Sequence, residues 1–215
     1  MNNKSFLRYF IELLIVIVGV TIAFWLNTRA ESSKEQKTLN NYYREIQSDL
    51  KSDHRSLEYK IRNNQAKREK MGRALQFYFE GTPNRDSIFA YSQEIGNYDF
   101  FDPKDITYRT MINSGDLKLI NNLVIKQRLV ALYDRYQVID HLQKNHLQAL
   151  DENFFPKYVY MVDYVAGEVL VPMEEDILVK NYFAFVVNEL GTHLAYYNSV
   201  LQMNEKLDSL IQLEL

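Results

Sequence analysis

Four histidines, His54, His141, His146 and His193, with no cysteine, are the nitrogen and sulfur ligands available to this 215-residue chain. His141 and His146 are the closest pair, but on a helix a five-residue step places them about 140° apart, so one ion cannot readily use both. Without cysteine there is no disulfide, thiol nucleophile or thiolate metal site, and the chain suits an oxidising or a reducing compartment equally. Glu45, Asp49 and Asp53 follow one another at i, i+4 and i+8 on one helix face; they would suit a hard cation only if a second acidic element packed against them. A solvated face is the expected reading. The sequence holds no Gly-rich phosphate loop, no Gly-x-Ser-x-Gly and no His-Glu-x-x-His, so no catalytic residue, metal ligand or cofactor is expected.

The sharpest chemical candidate is Glu12, because it interrupts an apolar run. An acid inside a membrane span serves ion movement, pairs with a partner's basic residue, or sits near the interface beside a cation of its own chain. Here Arg8 lies one helical turn before it, and the Arg8–Glu12 pair is the candidate intramembrane contact. A second candidate is the loop "GNYDFFDPKDITY" (96–108), where Tyr98, Phe100 and Phe101 would present an aromatic anchor to a partner or fill the core beneath.

The run that holds Glu12 sets where everything else resides. Between Leu13 and Leu26 ten residues are Leu, Ile, Val or Phe, which gives roughly -3 to -6 kcal/mol for insertion at mid-bilayer. Those fourteen residues alone have the length of a signal-peptide h-region. Extension back to Tyr9 gives about 27 Å of helix, enough for a ~30 Å hydrocarbon core, with Tyr9 and Trp25 as interfacial anchors. Cleavage after Ala30, with Lys4 and Arg8 as the basic n-region, is the competing reading. The flank after Leu26 runs on without Pro or Gly into helix-favouring sequence, which favours a retained anchor over residues 9–27. Lys4 and Arg8 are balanced by Arg29, Lys34 and Lys37, so orientation rests on the short amino-terminal tail (1–8), which places the following domain outside the cytoplasm.

Composition sets the class of that domain. A 47% hydrophobic chain of this length buries a real core, and 7 Gly and 4 Pro against 16 Tyr and 12 Phe describe long unbroken elements. The net charge of -3, from 25 basic and 28 acidic residues, leaves no basic footprint for nucleic acid.

Apolar residues at three- and four-residue steps from Tyr43 to Tyr78 predict one long amphipathic helix ended by Gly81-Thr82-Pro83. Asp53, Asn64 and Arg68 interrupt its stripe and predict an uneven packing surface. A shorter helix is expected over 84–96, then a loop in which Asp102 and Pro103 start a further helix as N-cap and first helical residue. Gly115 is expected to stop it in a left-handed conformation. A second long helix is expected over 119–153, closed by Pro156, and a third from Ile177 to the end, after the acidic 174–176 and with a bend possible at Gly191. The segment 157–171 is ambiguous between helix and strand; its expected state is mostly helical, and Asp163 with Glu168 argues against a second crossing.

Three segments, "YFIELLIVIVGVTIAFWLN" (9–27), "TYRTMINSGDLKLINN" (107–122) and the closing 183–190 with 196–215, together resemble a family of single-span, mostly helical envelope proteins of Gram-negative bacteria, classed as a domain of unknown function. Its internal motif is matched here by Thr107, Tyr108, Ser114, Gly115, Leu117, Leu119, Ile120 and Asn122. Where family members tend to carry two amides and a Trp after the span, this chain has Asn27, Thr28 and Arg29. The resemblance implies a membrane-anchored helical protein and no activity.

The resulting expectation is all-α: a transmembrane helix (9–27), then an antiparallel helical bundle (28–215) with long amphipathic helices. It would be a single-pass protein of a bacterial inner membrane with the bundle on the periplasmic side. Its expected partners are the bilayer and a protein or a second copy of itself, as a non-enzymatic interaction or accessory subunit of an envelope complex. The alternative is a sensory or ligand-binding module acting through a partner.

Overall fold

The structure is a computed structural model that describes residues 3–215, with side chains from residue 8 onward. Its first element, α1, is a single helix from Asn3 to Phe79, a run with no proline in which nothing breaks the i to i-4 ladder. Residues 1 and 2 of the expected tail lie outside the described residues, as does the side chain of Lys4, and residues 3–8 already belong to the helix. Every described side chain as far as Lys37 is exposed, including the whole apolar run. Among the described residues α1 is the one helix long and apolar enough to cross a membrane.

Burial starts at Leu39. From there Leu39, Tyr43, Ile46, Leu50, Asp53 and Leu57 turn inward at alternating four- and three-residue steps, and Asn64, Met71 and Ala74 keep the same register. Five α-helices follow: α2 (Arg85–Gln93), α3 (Ile106–Ser114), α4 (Leu123–Asn153), α5 (Phe155–Tyr158) and, after a hairpin, α6 (Ile177–Gln212). The long helices keep the same rhythm. In α4 the seam runs through Ile125, Leu129, Leu132, Tyr136, Ile139, Gln143, His146 and Leu150, with Tyr133 buried beside it; in α6 it runs from Val179 through Phe183, Val186, Leu190, His193, Tyr197, Val200, Asn204 and Leu207 to Ile211, with Leu194 buried beside it. A sustained 3.5-residue period gives each helix a narrow apolar seam, the condition for side chains of one helix to seat between those of its neighbour.

Hydrogen bonds fix which seams face each other. Gln47 donates to Asp208 at 3.0 Å, Asn204 donates to the Leu50 carbonyl at 2.9 Å, Arg68 to the Val187 carbonyl at 3.1 Å and Tyr78 to the Met173 carbonyl at 3.1 Å. Numbering therefore falls along α6 as it rises along α1. Arg68 crosses α6 beside Gly191, where an added Cβ would stand 3.4 Å from its Nε, an ordinary van der Waals contact.

The caps are local chemistry. Asn84 accepts from Ser87 N–H, Asn122 from Val124 and Ile125 N–H, and Asp176 from Leu178 and Val179 N–H, each meeting amides that a helix start leaves unpaired. Gly115 ends α3 at φ 76°, where a side chain would be strained.

Three expectations need correction. Asp102 and Pro103 do not start a helix; α3 begins at Ile106, because the preceding backbone is held by tertiary bonds, Lys104 N–H to Asp53 at 2.9 Å and Tyr133 hydroxyl to the Lys104 carbonyl at 3.1 Å. Residues 116–119 form a tight 3-10 turn and α4 starts at Leu123; it ends at Asn153, so Pro156 sits in the first turn of α5 instead of closing α4. Beyond α5 the segment is a two-stranded hairpin, β1 (Val162–Asp163) against β2 (Glu168–Val169). Gly167 turns it at φ 70°, and Asp163 accepts from Val165 and Ala166 N–H, a local Asx turn that outcompetes helix.

Candidate functional site

The family-like motif is a structural joint between α1, α3 and α4. Thr107 donates to Asp49 at 2.6 Å, and Tyr108 stacks on Tyr133 with centroids 4.1 Å apart. Ser114 accepts from Asp116 N–H, while Asp116 accepts from the Tyr42 hydroxyl at 2.9 Å. Ile120 is buried and Leu117 and Leu119 pack half-buried against the same core. Asn122, besides capping α4, donates to Glu214 at 2.7 Å and so holds the last turn of the chain to the start of α4.

Glu45, Asp49 and Asp53 do not form the solvated acidic face that their spacing predicts. Asp53 is 1% exposed, accepting from Lys104 N–H and from the Tyr136 hydroxyl at 3.0 Å. Burial, against those two hydrogen bonds, pushes its carboxyl up to about 6. Asp53→Asn keeps both contacts, since the amide oxygen accepts from Lys104 and its nitrogen donates to Tyr136. Thermal melts at pH 7.5 are expected to rise, by the equivalent of about 1–2 kcal/mol, because a buried charge is removed; a lowered melting temperature would show that the ionised form is needed.

Arg8 Nε meets Glu12 at 3.0 Å on the exposed face of α1. Tyr9 and Trp25 are exposed at the two ends of the run, with the Arg29 guanidinium 5.2 Å above the Trp25 ring. Glu12→Gln is expected to leave the melting of the folded domain unchanged, as followed by circular dichroism; a lowered transition would place Glu12 against that domain.

The aromatic loop turns inward. Phe101 is buried between Tyr136 and Tyr197, so it is a core residue and not a presented anchor. Its backbone is clamped by Gln143, which accepts from Phe101 N–H at 2.8 Å, donates to the Phe101 carbonyl at 3.0 Å, and accepts from the Tyr197 hydroxyl at 2.5 Å. Tyr98 and Phe100 are half-buried and stack on each other at 5.2 Å. Both turn toward a histidine that sequence reasoning set aside.

That histidine is His146, on the α4 seam, and opposite it on α6 are His193 and, one turn earlier, Glu189. One ligand atom from each of the three lies within 4.8 Å of the others, and His146 Nδ1 is 3.8 Å from Glu189 Oε2, too long for a hydrogen bond. The rings stand between the two apolar clusters of the core, 5.4 Å apart. Tyr98 and Phe100 meet His146 edge-on, Phe185 stacks on it, Phe100 meets His193 edge-on and Tyr197 stacks on His193. Neither ring nitrogen of His146 has a hydrogen-bond partner, nor has His193 Nε2. Burial, then the neighbouring His193 and Lys67, pushes His146 down to about 3; burial lowers His193 as well, against a bond to the Leu142 backbone. Both rings are therefore neutral near pH 7. Burial raises the Glu189 carboxyl.

Beside the pair lies a groove of about 440 Å³ lined by Asn63, Asn64, Lys70, Glu94, Tyr98 and Lys67. Lys67 donates to the carbonyls of Ile95 and Asn97 and lies 5.4 Å over the Tyr98 ring. Burial brings its ammonium down to about 8, partly offset by Glu94.

The one sequence signal for this cluster is the i, i+4 spacing of Glu189 and His193, which puts two ligand types on one helix face. No curated protein and no solved structure matches the chain. Residues 12–153, more than half of the chain, match the profile described as a family of unknown function; His146 lies inside that segment, and Glu189 and His193 lie beyond it. The chain belongs to that family, DUF6090.

Proposed function

We propose that the chain is a membrane-anchored, non-enzymatic interaction or accessory subunit of a bacterial envelope complex, with residues 9–27 in the inner membrane and an antiparallel helical bundle on the periplasmic side. The observation that supports it is the continuity of α1 from the exposed apolar run to Phe79. A helix without a break fixes the bundle relative to the bilayer, and the residues after Asn27 carry its far end about 78 Å from the span. At that far end Phe79, Tyr160, Tyr164, Val165 and Leu170 are exposed, a group of apolar side chains that the fold does not cover.

The test is purification of the full chain from native membranes. A protein should co-elute reproducibly, and Tyr164→Asp with Val165→Asp should lose it while the melting temperature stays within about 1 °C, as exposed substitutions do. A chain that elutes alone, or a partner retained by that double variant, contradicts the reading. A second reading, an input module acting through a partner, draws support from the buried His146 and His193 with the half-buried Glu189 beside them.

A further inference from the structure

Six polar residues occupy seam positions where the rhythm of the helices calls for apolar ones: Asp53, Asn64, Gln143, His146, His193 and Asn204. Asp53, Gln143 and Asn204 have partners of fixed geometry on a neighbouring element. The histidine pair is different. Its rings are 1% and 3% exposed, three of its four nitrogens have no partner, and a carboxylate stands within reach. Buried imidazoles left unpaired are costly, and a phenylalanine or leucine would fill the same box without that cost.

We propose that His146, Glu189 and His193 form a binding site for a borderline divalent transition-metal ion, Zn²⁺ first, that bridges α4 and α6. Two imidazoles and one carboxylate are a donor set suited to this class of ion, and the absence of cysteine and of a second carboxylate turns the site away from soft monovalent ions and from Ca²⁺ or Mg²⁺. Ligand atoms at about 2.0–2.2 Å from a tetrahedral ion lie roughly 3.4 Å apart. The present separations, 3.8 Å for one pair and no more than 4.8 Å for any, close to that by side-chain rotation within the box.

Several features prepare the donors. Burial keeps both rings unprotonated near neutrality, so their lone pairs are available. Glu189, half-buried, supplies negative charge from the solvent side. Lys67 is the opposing influence: it faces both rings and disfavours a cation, but its ammonium is turned to two backbone carbonyls and the Tyr98 ring. Tyr98 both lines the outer groove and packs on His146, so the groove is the side from which an ion reaches the pair.

The test uses the full, tag-free chain in detergent, stripped with a chelator and titrated with ZnCl₂. One equivalent should bind, and at a hundredfold excess over Kd the melting temperature should rise by about 5–10 °C. Co²⁺ in place of Zn²⁺ should give visible d–d bands of a four-coordinate site. Glu189→Gln, conservative and partly exposed, should keep the fold and weaken binding at least tenfold; His193→Phe should abolish it. Lys67→Gln should tighten it, and His141→Gln, away from the site, should leave it unchanged. The proposal is overturned if the stripped chain shows no Zn²⁺-dependent shift, or if the shift survives in the folded Glu189→Gln, His193→Phe double variant.

Discussion

Gln143→Leu is expected to lower the stability of the folded domain by about 3–5 kcal/mol, read as a fall in the denaturant midpoint with an unchanged slope. The side chain is 5% exposed and meets three buried partners at once, the N–H and carbonyl of Phe101 and the hydroxyl of Tyr197. Leucine matches its bulk but satisfies none of them. An orphaned buried group costs about 1–3 kcal/mol, and three close together cannot all turn to water without displacing Phe101 from between Tyr136 and Tyr197. The loop 97–105 has no ladder of its own, so its order depends on this clamp and on Asp53. A loss below about 1 kcal/mol would show that the loop is held by packing and that the amide is incidental.

The second large effect concerns acid. His146 titrates at 6.5 when unfolded and at about 3 in the fold. A depressed folded value means that the unfolded chain takes up protons more readily, so this stability is present above pH 6.5 and is lost as pH falls toward 3. Between pH 7 and pH 4 the loss is roughly 3 kcal/mol. Asp53 works the other way. Its carboxyl rises from 3.8 to about 6, so its contribution is full below 3.8, is lost as pH rises through 6, and returns roughly 2 kcal/mol over the same descent. The two nearly offset in the natural chain. His193, lowered by the same burial, also loses stability on this descent, so His146→Phe should lose less stability than the natural chain from pH 7 to pH 4, and Asp53→Asn should lose it more steeply. Parallel profiles for all three chains in urea melts across this range would contradict the assignment of both groups.

Much of the fold is legible because it is written in short-range rules. The three- and four-residue steps from Tyr43 to Tyr78, the left-handed stop at Gly115 and the acidic entry to α6 appear in the structure as α1, the end of α3 and the Asp176 cap. Where distant bonds compete with local ones the rules fail. Asp102-Pro103 has the grammar of a helix start, but Asp53, 51 residues from Lys104 in sequence, holds the backbone out of a helix there. At 160–170 the apolar run is compatible with either state, and the side chain of Asp163 decides it.

Chemistry that spans two helices was the least legible. His146 and His193 are remote in sequence, and neither is unusual on its own helix; only the pairing of α4 with α6 brings them together. Phe101 fails as a surface anchor for a similar reason, since its partners Tyr136 and Tyr197 come from those same two helices.

An anchored bundle requires that the apolar run stay attached to the helix it enters. Intact-mass spectrometry of the chain recovered from alkaline-washed membranes tests this directly. The 25.5 kDa chain is expected in the membrane pellet, released by detergent alone. A shorter chain that begins after Ala30 and stays in the wash supernatant would contradict it.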